Sequence, residues 1–309
     1  MRTTTSIAAG LLISGATWLS TASEAHLPPT LEPQARVAIA ALGESSGIIA
    51  SRRHAGVFWS HNDSGDGARL FAFRRDGSAV HPAATTPYEG LQITDATNRD
   101  WEDIATDDAG NLFVADTGNN AQGRRDLAVY MVPEPDPALA TSAPATRRIG
   151  YAFPDQSSFP AEAGNRNFDA ESLFWSEGTL WLLSKNYDNT RTRLYRFPSL
   201  EAHEGHVLEL VGEFDIGGMA TGADVSPDGR RLAVAGFRSA TIDGQRRILG
   251  FVWVFERDAA GGYFTGRKWH RQFQAGQIEA ICWDGDDLVL TNEPGNIFII
   301  PFASLPAVH

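Results

Sequence analysis

The chain has 309 residues, of which 42% are hydrophobic, so it can bury a large core as one all-β domain or as two smaller ones. Its 38 acidic residues outnumber the 26 lysines and arginines, which gives a formal net charge of −12 and a pI of about 5.1. This balance argues against a basic face for nucleic acid or for an anionic membrane, and it favours cationic ligands.

The first 25 residues have the three parts of a secretory signal. Arg2 supplies the positive end, residues 7–18 form a short apolar run, and Ser-Glu-Ala at 23–25 fits a small-x-small cleavage site. We therefore expect export to the periplasm or the extracellular space, followed by a single domain over residues 26–309. The apolar run is too short to cross a bilayer, so no membrane span is expected.

One sequence plan recurs five times along the rest of the chain. In each copy an acidic residue begins a short apolar strand, and a polar or Gly turn follows. A second apolar strand comes next, and a polar cluster ends the unit. The openers, in chain order, are Glu44, Glu102, Glu171, Asp224 and Glu279. Their spacing of roughly 50 to 70 residues is typical of propeller blades.

Each unit has room for four strands. Two further strand candidates follow the first pair, and turn signals such as Asp76-Gly77 and Asp284-Gly285 separate the runs. The last unit ends near residue 302 with only three strands, whereas the chain starts with a spare one at residues 36–42. The sequence therefore predicts an all-β, five-bladed β-propeller of four-stranded blades, closed by the N-terminal strand.

Three longer segments do not follow the strand pattern. These are residues 136–146, 154–167 and 239–245. The first is rich in Pro, Ala and Ser, and all three are predicted to be surface loops.

Propeller geometry places the start of every innermost strand at one mouth of the central channel. The turn between the second and third strands lies on the same face, so the five acidic openers are expected to converge there with the ends of the second strands. Four of these ends stand fourteen residues after their opener. They are Asp116, Lys185, Arg238 and Glu293, while the longer hairpin of the first unit contributes Asn62 or Asp63.

Such a ring of like charges raises the pKa values of its members and calls for compensation. A hard cation such as calcium can take about 6–8 carboxylate and amide oxygens. Lys185 and Arg238 can instead pair with their neighbours, or one carboxyl can stay protonated as a general acid. Alternatively, the openers bond the backbone of adjacent blades and serve only to hold the ring together.

Two function classes follow from this arrangement. The enzyme hypothesis is hydrolysis of a sugar, lactone or phosphate ester, with a divalent ion, expected to be calcium, that positions a water. The alternative is a non-catalytic propeller that binds a small molecule, a glycan or a protein. In either class a monomer is expected. No Gly-x-Ser-x-Gly nucleophile motif or histidine zinc signature decides between them.

The candidate residues divide by expected role. Metal ligands are expected at Glu102, Asp116 and Asn119. General acid–base residues are expected among Glu171, Glu279 and Asp224. Ligand contacts are expected from Lys185, Arg238, Glu293 and Asp63, with Trp101 as a wall of the pocket.

The segments HNDSG, DWEDIA, ADTGNN and TGADVSPDG, within about residues 40–300, resemble motifs of a group of exported, mostly uncharacterised bacterial β-propeller proteins. More distantly, the layout is similar to gluconolactonase-like and phytase-like propellers, in which a Glu that opens an inner strand binds calcium or another divalent ion. Glu102 is the matching position, so the resemblance implies a metal-binding carboxylate there. A five-bladed ring with channel carboxylates also resembles arabinanase and levanase glycosidases, although Lys185 and Arg238 occupy two neighbouring positions here.

Overall fold

The computed structural model describes residues 27–308. Over this range the chain forms five β-sheets of four or five strands, arranged as the blades of a propeller, and contains no α-helix. The predicted signal at residues 1–25 lies outside the described residues. Between residues 27 and 308 no helix has the length and apolarity needed to cross a membrane.

The strands are short and follow one another closely along the chain. In chain order they are β1 (Ala35–Arg36), β2 (Ser45–Ala50), β3 (Phe58–Asn62), β4 (Arg69–Phe73), β5 (Leu91–Thr94), β6 (Trp101–Thr106), β7 (Asn111–Asp116), β8 (Ala128–Pro133), β9 (Ser142–Pro144), β10 (Arg147–Ala152), β11 (Asp169–Ser176), β12 (Thr179–Lys185), β13 (Arg191–Arg196), β14 (His203–Val207), β15 (Glu209–Asp215), β16 (Met219–Val225), β17 (Arg231–Ile242), β18 (Gln245–Glu256), β19 (Lys268–Phe273), β20 (Ile278–Asp284), β21 (Asp287–Asn292), β22 (Asn296–Pro301) and β23 (Ala307–Val308). A short 3₁₀ turn, Phe302–Ser304, lies between the last two.

The blades follow the chain order predicted from the repeats. From the channel outward, blade 1 is β2-β3-β4-β5-β9, blade 2 is β6-β7-β8-β10-β14, blade 3 is β11-β12-β13-β15, blade 4 is β16-β17-β18-β19-β23 and blade 5 is β20-β21-β22-β1. The innermost strands β2, β6, β11, β16 and β20 lie against one another around the channel. The five-bladed all-β fold predicted from the sequence is therefore confirmed.

The hydrophobic core lies between neighbouring blades. Side chains alternate across each strand, so every blade buries one apolar set against the preceding blade and the other against the next. In blade 4, Phe251 packs with Phe174 of blade 3, whereas Val252 packs with Ile281 of blade 5. The alternation therefore determines which side chains of a strand pack against the preceding blade and which pack against the next.

The ring is closed by the N-terminal strand, as predicted, but the closing strand is shorter than residues 36–42. Strand β1 pairs antiparallel with β22, with Ala35 opposite Ile297 and Arg36 opposite Asn296. The amide of Val37 still bonds to the carbonyl of Gly295, and the chain then turns away toward β2. The sequence pattern overestimated the strand because Ile39 and Leu42 remain buried after the chain has left β22, and the amide of Ala38 bonds to the carbonyl of Gly77 instead.

Two of the predicted loops contain strands. Strand β9, within residues 136–146, pairs in parallel with β5 and adds a fifth strand to blade 1. Residues 239–245 form the end of the long hairpin β17–β18, in which Asp243 and Gly244 both have positive φ, 51° and 74°. A two-residue turn with positive φ at both positions matches the twist of the flanking strands, so the hairpin continues to its tip.

Deletion of residues 27–43 is expected to lower the melting temperature by at least about 10 °C, because it removes several buried apolar side chains and each contributes about 1.5–3 kcal/mol. Leu31, Val37, Ile39 and Leu42 are each at most 9% exposed. The deletion also leaves the outer edge of β22 unpaired. A matched control begins the chain at Leu31 and so keeps β1. An unchanged melting temperature after the larger deletion, measured by circular dichroism, would contradict the closure role.

Candidate functional site

Every innermost strand carries a β-bulge near its start. The strand register shifts there in all five blades. The residues at the bulges are Ser46 and Gly47 in blade 1, Glu102 in blade 2, Glu171 in blade 3, Thr221 in blade 4 and Glu279 in blade 5. A bulge redirects a side chain, and here it directs three glutamates from one structural position toward the channel mouth.

Two groups of three carboxylates meet at this mouth. Asp63, Asp100 and Glu102 form one group, and Glu102, Asp169 and Glu171 form the other, with the oxygens of each group within 4.8 Å of one another. Glu102 belongs to both groups and is only 4% exposed. These five residues, called the carboxylate cluster below, could hold a metal ion.

Gly118 makes room for the carboxylate cluster. A Cβ at this position would overlap Glu102 Oε1 and Asp100 Oδ2. Its amide N–H donates to the carbonyl of Asp100 at 3.1 Å, which keeps the two segments together. A side chain at residue 118 would therefore push these two carboxylates apart.

The members of the cluster differ in how many hydrogen bonds their carboxylate oxygens accept. Asp169 accepts hydrogen bonds from the amide of Asn119 at 2.6 Å and from the Tyr187 hydroxyl at 2.8 Å. Glu171 accepts one from Lys185. Among residues 27–308, no donor reaches the carboxylates of Asp100 and Glu102. The open acceptors therefore lie on the side of the cluster nearest Asp63.

Burial makes this cluster costly to ionise. It is the main reason that the pKa of Glu102 lies well above its ordinary value, and the charges of Glu171, Asp63 and Asp169 raise it further. Burial, with the charges of Asp63 and Asp169, raises the pKa of Asp100 to about 7. A cation at the cluster would reverse both effects by favouring the ionised carboxylates.

Lys185 supplies the positive charge at the blade-3 side. Burial opposes the charge of this ammonium, but the carboxylates of Glu171, Asp169 and Glu279 hold its pKa well above the ordinary lysine value. Its Nζ also lies 5.9 Å from the ring centre of Tyr187 and 5.7 Å from that of Phe237. Lys185 is thus a permanently charged partner that fixes the position of Glu171.

Glu279 stands at the edge of the cluster with an intermediate proton affinity. Burial, together with the charges of Asp63 and Glu293, raises its pKa to about 7 against the opposing charge of Lys185. It accepts a hydrogen bond from Gln277 Nε2 at 2.6 Å. A carboxyl group with this pKa can gain or lose a proton near neutral pH.

Asp116 and Asn119 lie beside the cluster, and both are engaged in holding its backbone. Asp116 accepts hydrogen bonds from the amide of Asp100 at 3.0 Å and from Arg124 at 3.1 Å. Asn119 donates to the carbonyl of Phe168 at 2.7 Å and accepts from the amide of Arg124 at 2.9 Å. Their side chains therefore orient the segments that carry Asp100 and Asp169.

Asp224 differs from its predicted place. It lies three residues beyond Thr221, which occupies the bulge of blade 4, and its carboxylate accepts hydrogen bonds from the amides of Val225 at 2.8 Å and Trp283 at 2.9 Å. The fourteen-residue spacing between Asp224 and Arg238 does not show that the two residues lie side by side, because the hairpin of blade 4 is longer. In this hairpin Ala220 is opposite Gly236. Asp224 thus ties blade 4 to blade 5 and does not join the cluster.

The remaining predicted residues surround the cluster at different depths. Trp101 is fully buried beside the rings of His61 and Tyr130, so it belongs to the core rather than to a pocket wall. Glu293 is exposed at the mouth. Arg238 Nη2 donates to Gln272 Oε1 at 3.0 Å, at the base of the long hairpin β17–β18.

Two cluster members, Asp100 and Asp169, were missed as candidates from the sequence. Each precedes a bulged glutamate by two residues, in the segments Asp100-Trp101-Glu102 and Asp169-Ala170-Glu171. The repeated Asp-x-Glu at the start of these two innermost strands was the signal that could have identified them.

Asp103 blocks the channel directly below the cluster. It is fully buried, and its carboxylate accepts hydrogen bonds from the amides of Ile104 and Leu173 at 2.8 Å and of Ala223 at 3.3 Å. These amides belong to blades 2, 3 and 4. In blades 3, 4 and 5 the residue after the bulge is small, namely Ser172, Gly222 and Ala280, whereas in blade 1 pairing resumes at Ile48. One aspartate therefore fills the channel and joins three blades.

Comparison with known proteins supports the fold but assigns no family. No protein-family model and no curated protein matches the chain. Among solved structures, the major allergen Mala s 1 of Malassezia sympodialis is similar, with a TM-score of 0.51 and 11% identity over 91% of this chain and 97% of the allergen. A gluconolactonase of Xanthomonas campestris has 16% identity over 91% and 97% of the two chains, but a TM-score of 0.39. At these identities the likeness concerns the fold alone.

Proposed function

We propose that the chain is an exported hydrolase of a sugar, lactone or phosphate ester, with a divalent cation, calcium, bound at the channel mouth. The observation that carries this proposal is the state of Glu102. Glu102 belongs to both sets of three acidic residues and is 4% exposed, and its carboxylate receives no hydrogen bond from residues 27–308. A buried carboxylate without a partner is costly, and a cation offsets that cost.

The donor chemistry fits a hard cation. Asp63, Asp100 and Glu102 offer carboxylate oxygens, and the cluster contains no histidine or cysteine. Oxygen-only sites suit calcium or magnesium, and calcium takes about 6–8 oxygen ligands in a flexible geometry. The space left by Gly118 lets two of these carboxylates converge without a clash. Glu171 and Asp169, already bonded to Lys185 and Tyr187, would complete the site from blade 3.

The neighbouring residues divide the chemical roles. Bound calcium would supply Lewis-acid chemistry, polarising a substrate oxygen and lowering the pKa of a water. Glu279, with a pKa of about 7, can gain or lose a proton at its carboxylate near neutral pH, which suits a general acid or base. Lys185 holds Glu171 in one position. Asp103 joins blades 2, 3 and 4 next to the cluster.

Glu102→Gln is expected to weaken calcium binding at least 100-fold while leaving the stability of the chelator-treated protein unchanged or higher. The change keeps the size of the side chain and removes its charge, which relieves like-charge repulsion in the metal-free protein. Calcium affinity would be measured by calorimetry and metal content by elemental analysis. Asp108→Asn is the matched control, since the side chain of Asp108 is 85% exposed and lies on the turn between β6 and β7, at the other end of β6 from Glu102.

Turnover would be assayed with a sugar lactone, a p-nitrophenyl glycoside and a p-nitrophenyl phosphate. We expect calcium-dependent hydrolysis of one class, lost in Glu102→Gln and retained in Asp108→Asn. A destabilised Glu102→Gln with unaltered metal content would contradict the metal site and leave a structural role for Glu102. Calcium binding without hydrolysis of any class would favour the non-catalytic ligand-binding propeller.

A further inference from the structure

The carboxylate cluster has the form of two adjacent cation positions. Asp63, Asp100 and Glu102 make up one group of three, on the side of blade 1. Glu102, Asp169 and Glu171 make up the other, on the side of blade 3. The two groups have Glu102 in common. A carboxylate shared in this way is what two metal ions about 3.5–4 Å apart would need.

The position on the side of blade 3 is already next to a positive charge. Lys185 is the last residue of β12 and stands directly opposite Asp169 in the register of β11 and β12. Residues opposite each other in an antiparallel pair have Cβ atoms about 4.5–5.5 Å apart. The Lys185 ammonium donates to Glu171 Oε1, and its side chain is only 11% exposed. The pairing of two strands therefore places a buried ammonium beside the two carboxylates of blade 3.

Aromatic rings complete the surroundings of this ammonium. Lys185 Nζ lies 5.9 Å from the ring centre of Tyr187 and 5.7 Å from that of Phe237. The face of an aromatic ring attracts an ammonium but offers no oxygen ligand to a metal ion. The Tyr187 hydroxyl is itself engaged, since it donates to Asp169 at 2.8 Å. These surroundings suit Lys185 better than they suit calcium.

The position on the side of blade 1 has no such charge. Among residues 27–308, no lysine or arginine forms an ion pair with Asp63, Asp100 or Glu102. Arg124, whose charge acts on Asp100, bonds to Asp116 at 3.1 Å instead. Glu102 is 4% exposed, and its carboxylate accepts no hydrogen bond from the same range. This group therefore still requires a cation from solution.

We propose that Lys185 takes the place of a second metal ion, so that the carboxylate cluster binds a single calcium ion, on the side of blade 1. An ion bound between the carboxylates of blade 3 would lie within a few ångströms of the ammonium, and the two positive charges would repel each other. Lys185 reaches only Oε1 of Glu171, which leaves Oε2 available to the single ion. Calcium itself rests on the proposed function, whereas the role of Lys185 requires no turnover.

The test is the number of calcium ions bound per chain, measured by calorimetric titration with calcium chloride and by elemental analysis. We expect one ion in the unaltered protein and two in Lys185→Met, which keeps most of the side-chain length and removes the charge. Asp169 and Glu171 are then free to bind an ion together with Glu102. Calcium at 100 times its dissociation constant should also raise the melting temperature of Lys185→Met by about 5 °C more than that of the unaltered protein.

Two further variants serve as controls. Lys185→Met/Glu171→Gln removes both charges of the ion pair and should bind one ion, because the second position has lost a carboxylate. Arg166→Gln removes a positive charge outside the cluster, since Arg166 bonds to Asp188 at 2.5 Å. It should bind one ion, with less than a twofold change in affinity.

The stoichiometries decide the inference. Two ions in the unaltered protein, one ion in Lys185→Met, or two ions in the double variant overturn it. A Lys185→Met protein that stays unfolded in calcium while the double variant folds also overturns it, because calcium then does not replace the ammonium.

The same measurements separate this inference from the proposed function. One ion in the unaltered protein and two in Lys185→Met, without hydrolysis of any substrate, support the role of Lys185 and remove the hydrolase. One ion in both proteins, with calcium-dependent hydrolysis, keeps the hydrolase and removes the role of Lys185. No calcium in either protein overturns both.

Discussion

Asp103→Ala is expected to lower the free energy of unfolding by at least about 3 kcal/mol, because three buried amide donors lose their acceptor and each such loss costs about 1–3 kcal/mol. The carboxylate of Asp103 accepts the amide hydrogens of Ile104, Leu173 and Ala223, which belong to three different blades. Alanine leaves these buried donors without an acceptor and opens a cavity at the centre of the ring. Urea unfolding monitored by tryptophan fluorescence would measure the change.

Two controls separate this role from a general effect of lost charge. Asp103→Asn keeps the shape and one acceptor oxygen, so it should cost about half as much as the alanine variant. Asp108→Ala removes an aspartate whose side chain is 85% exposed and should leave the unfolding midpoint unchanged. If Asp103→Ala unfolded at the same urea concentration as the unaltered protein, the three bonds would not hold the ring together.

The five-bladed ring could be predicted because the sequence pattern of a blade is local and repeats five times. Each blade is visible in the sequence as short apolar runs separated by turns such as Asp284-Gly285. The spare strand at the N-terminal end and the missing strand in the last unit were enough to predict that the ring closes. The added strands β9 and β14 were missed because they pair in parallel with distant segments and carry few apolar residues. Residues 239–245 were predicted to be a loop because few of them are apolar, although Asp243-Gly244 is a two-residue hairpin signal.

The site was predicted in part for a similar reason. Glu102, Glu171 and Glu279 share the bulge position. The sequence indicated them because each stands at the start of an apolar strand. Asp224 was misplaced because chain spacing does not show where a bulge lies or how long a hairpin is, and the residue at the bulge of blade 4, Thr221, is not acidic. Contacts between blades, such as those of Asp103, have no sequence signature beyond a lone aspartate among small residues.

In excess chelator, the stability of the protein is expected to fall as the pH rises from about 5 to about 8. Burial, with neighbouring charges, raises the folded-state pKa of Glu279 to about 7 from 4.5, and that of Asp100 to about 7 from 3.8. Between the unfolded and folded pKa values the folded chain holds protons that the unfolded chain releases, so rising pH favours unfolding. Each of these two half-buried groups contributes a few kcal/mol at most, at about 1.36 kcal/mol per pKa unit and after a discount for solvent screening.

Calcium is expected to reverse this loss at pH 8 and to have little effect at pH 5. At 100 times its dissociation constant, a ligand that binds only the folded state adds about 2.7 kcal/mol, whereas at pH 5 protons compete for the same carboxylates. Urea midpoints at both pH values, with chelator and with calcium, would measure the two effects. Glu279→Gln should reduce the pH dependence in chelator without abolishing it, since glutamine neither gains nor loses a proton while Asp100 and Glu102 still titrate. Stability that rises from pH 5 to pH 8 in chelator would contradict the raised pKa values, and an equal calcium effect at both pH values would place the ion away from the carboxylate cluster.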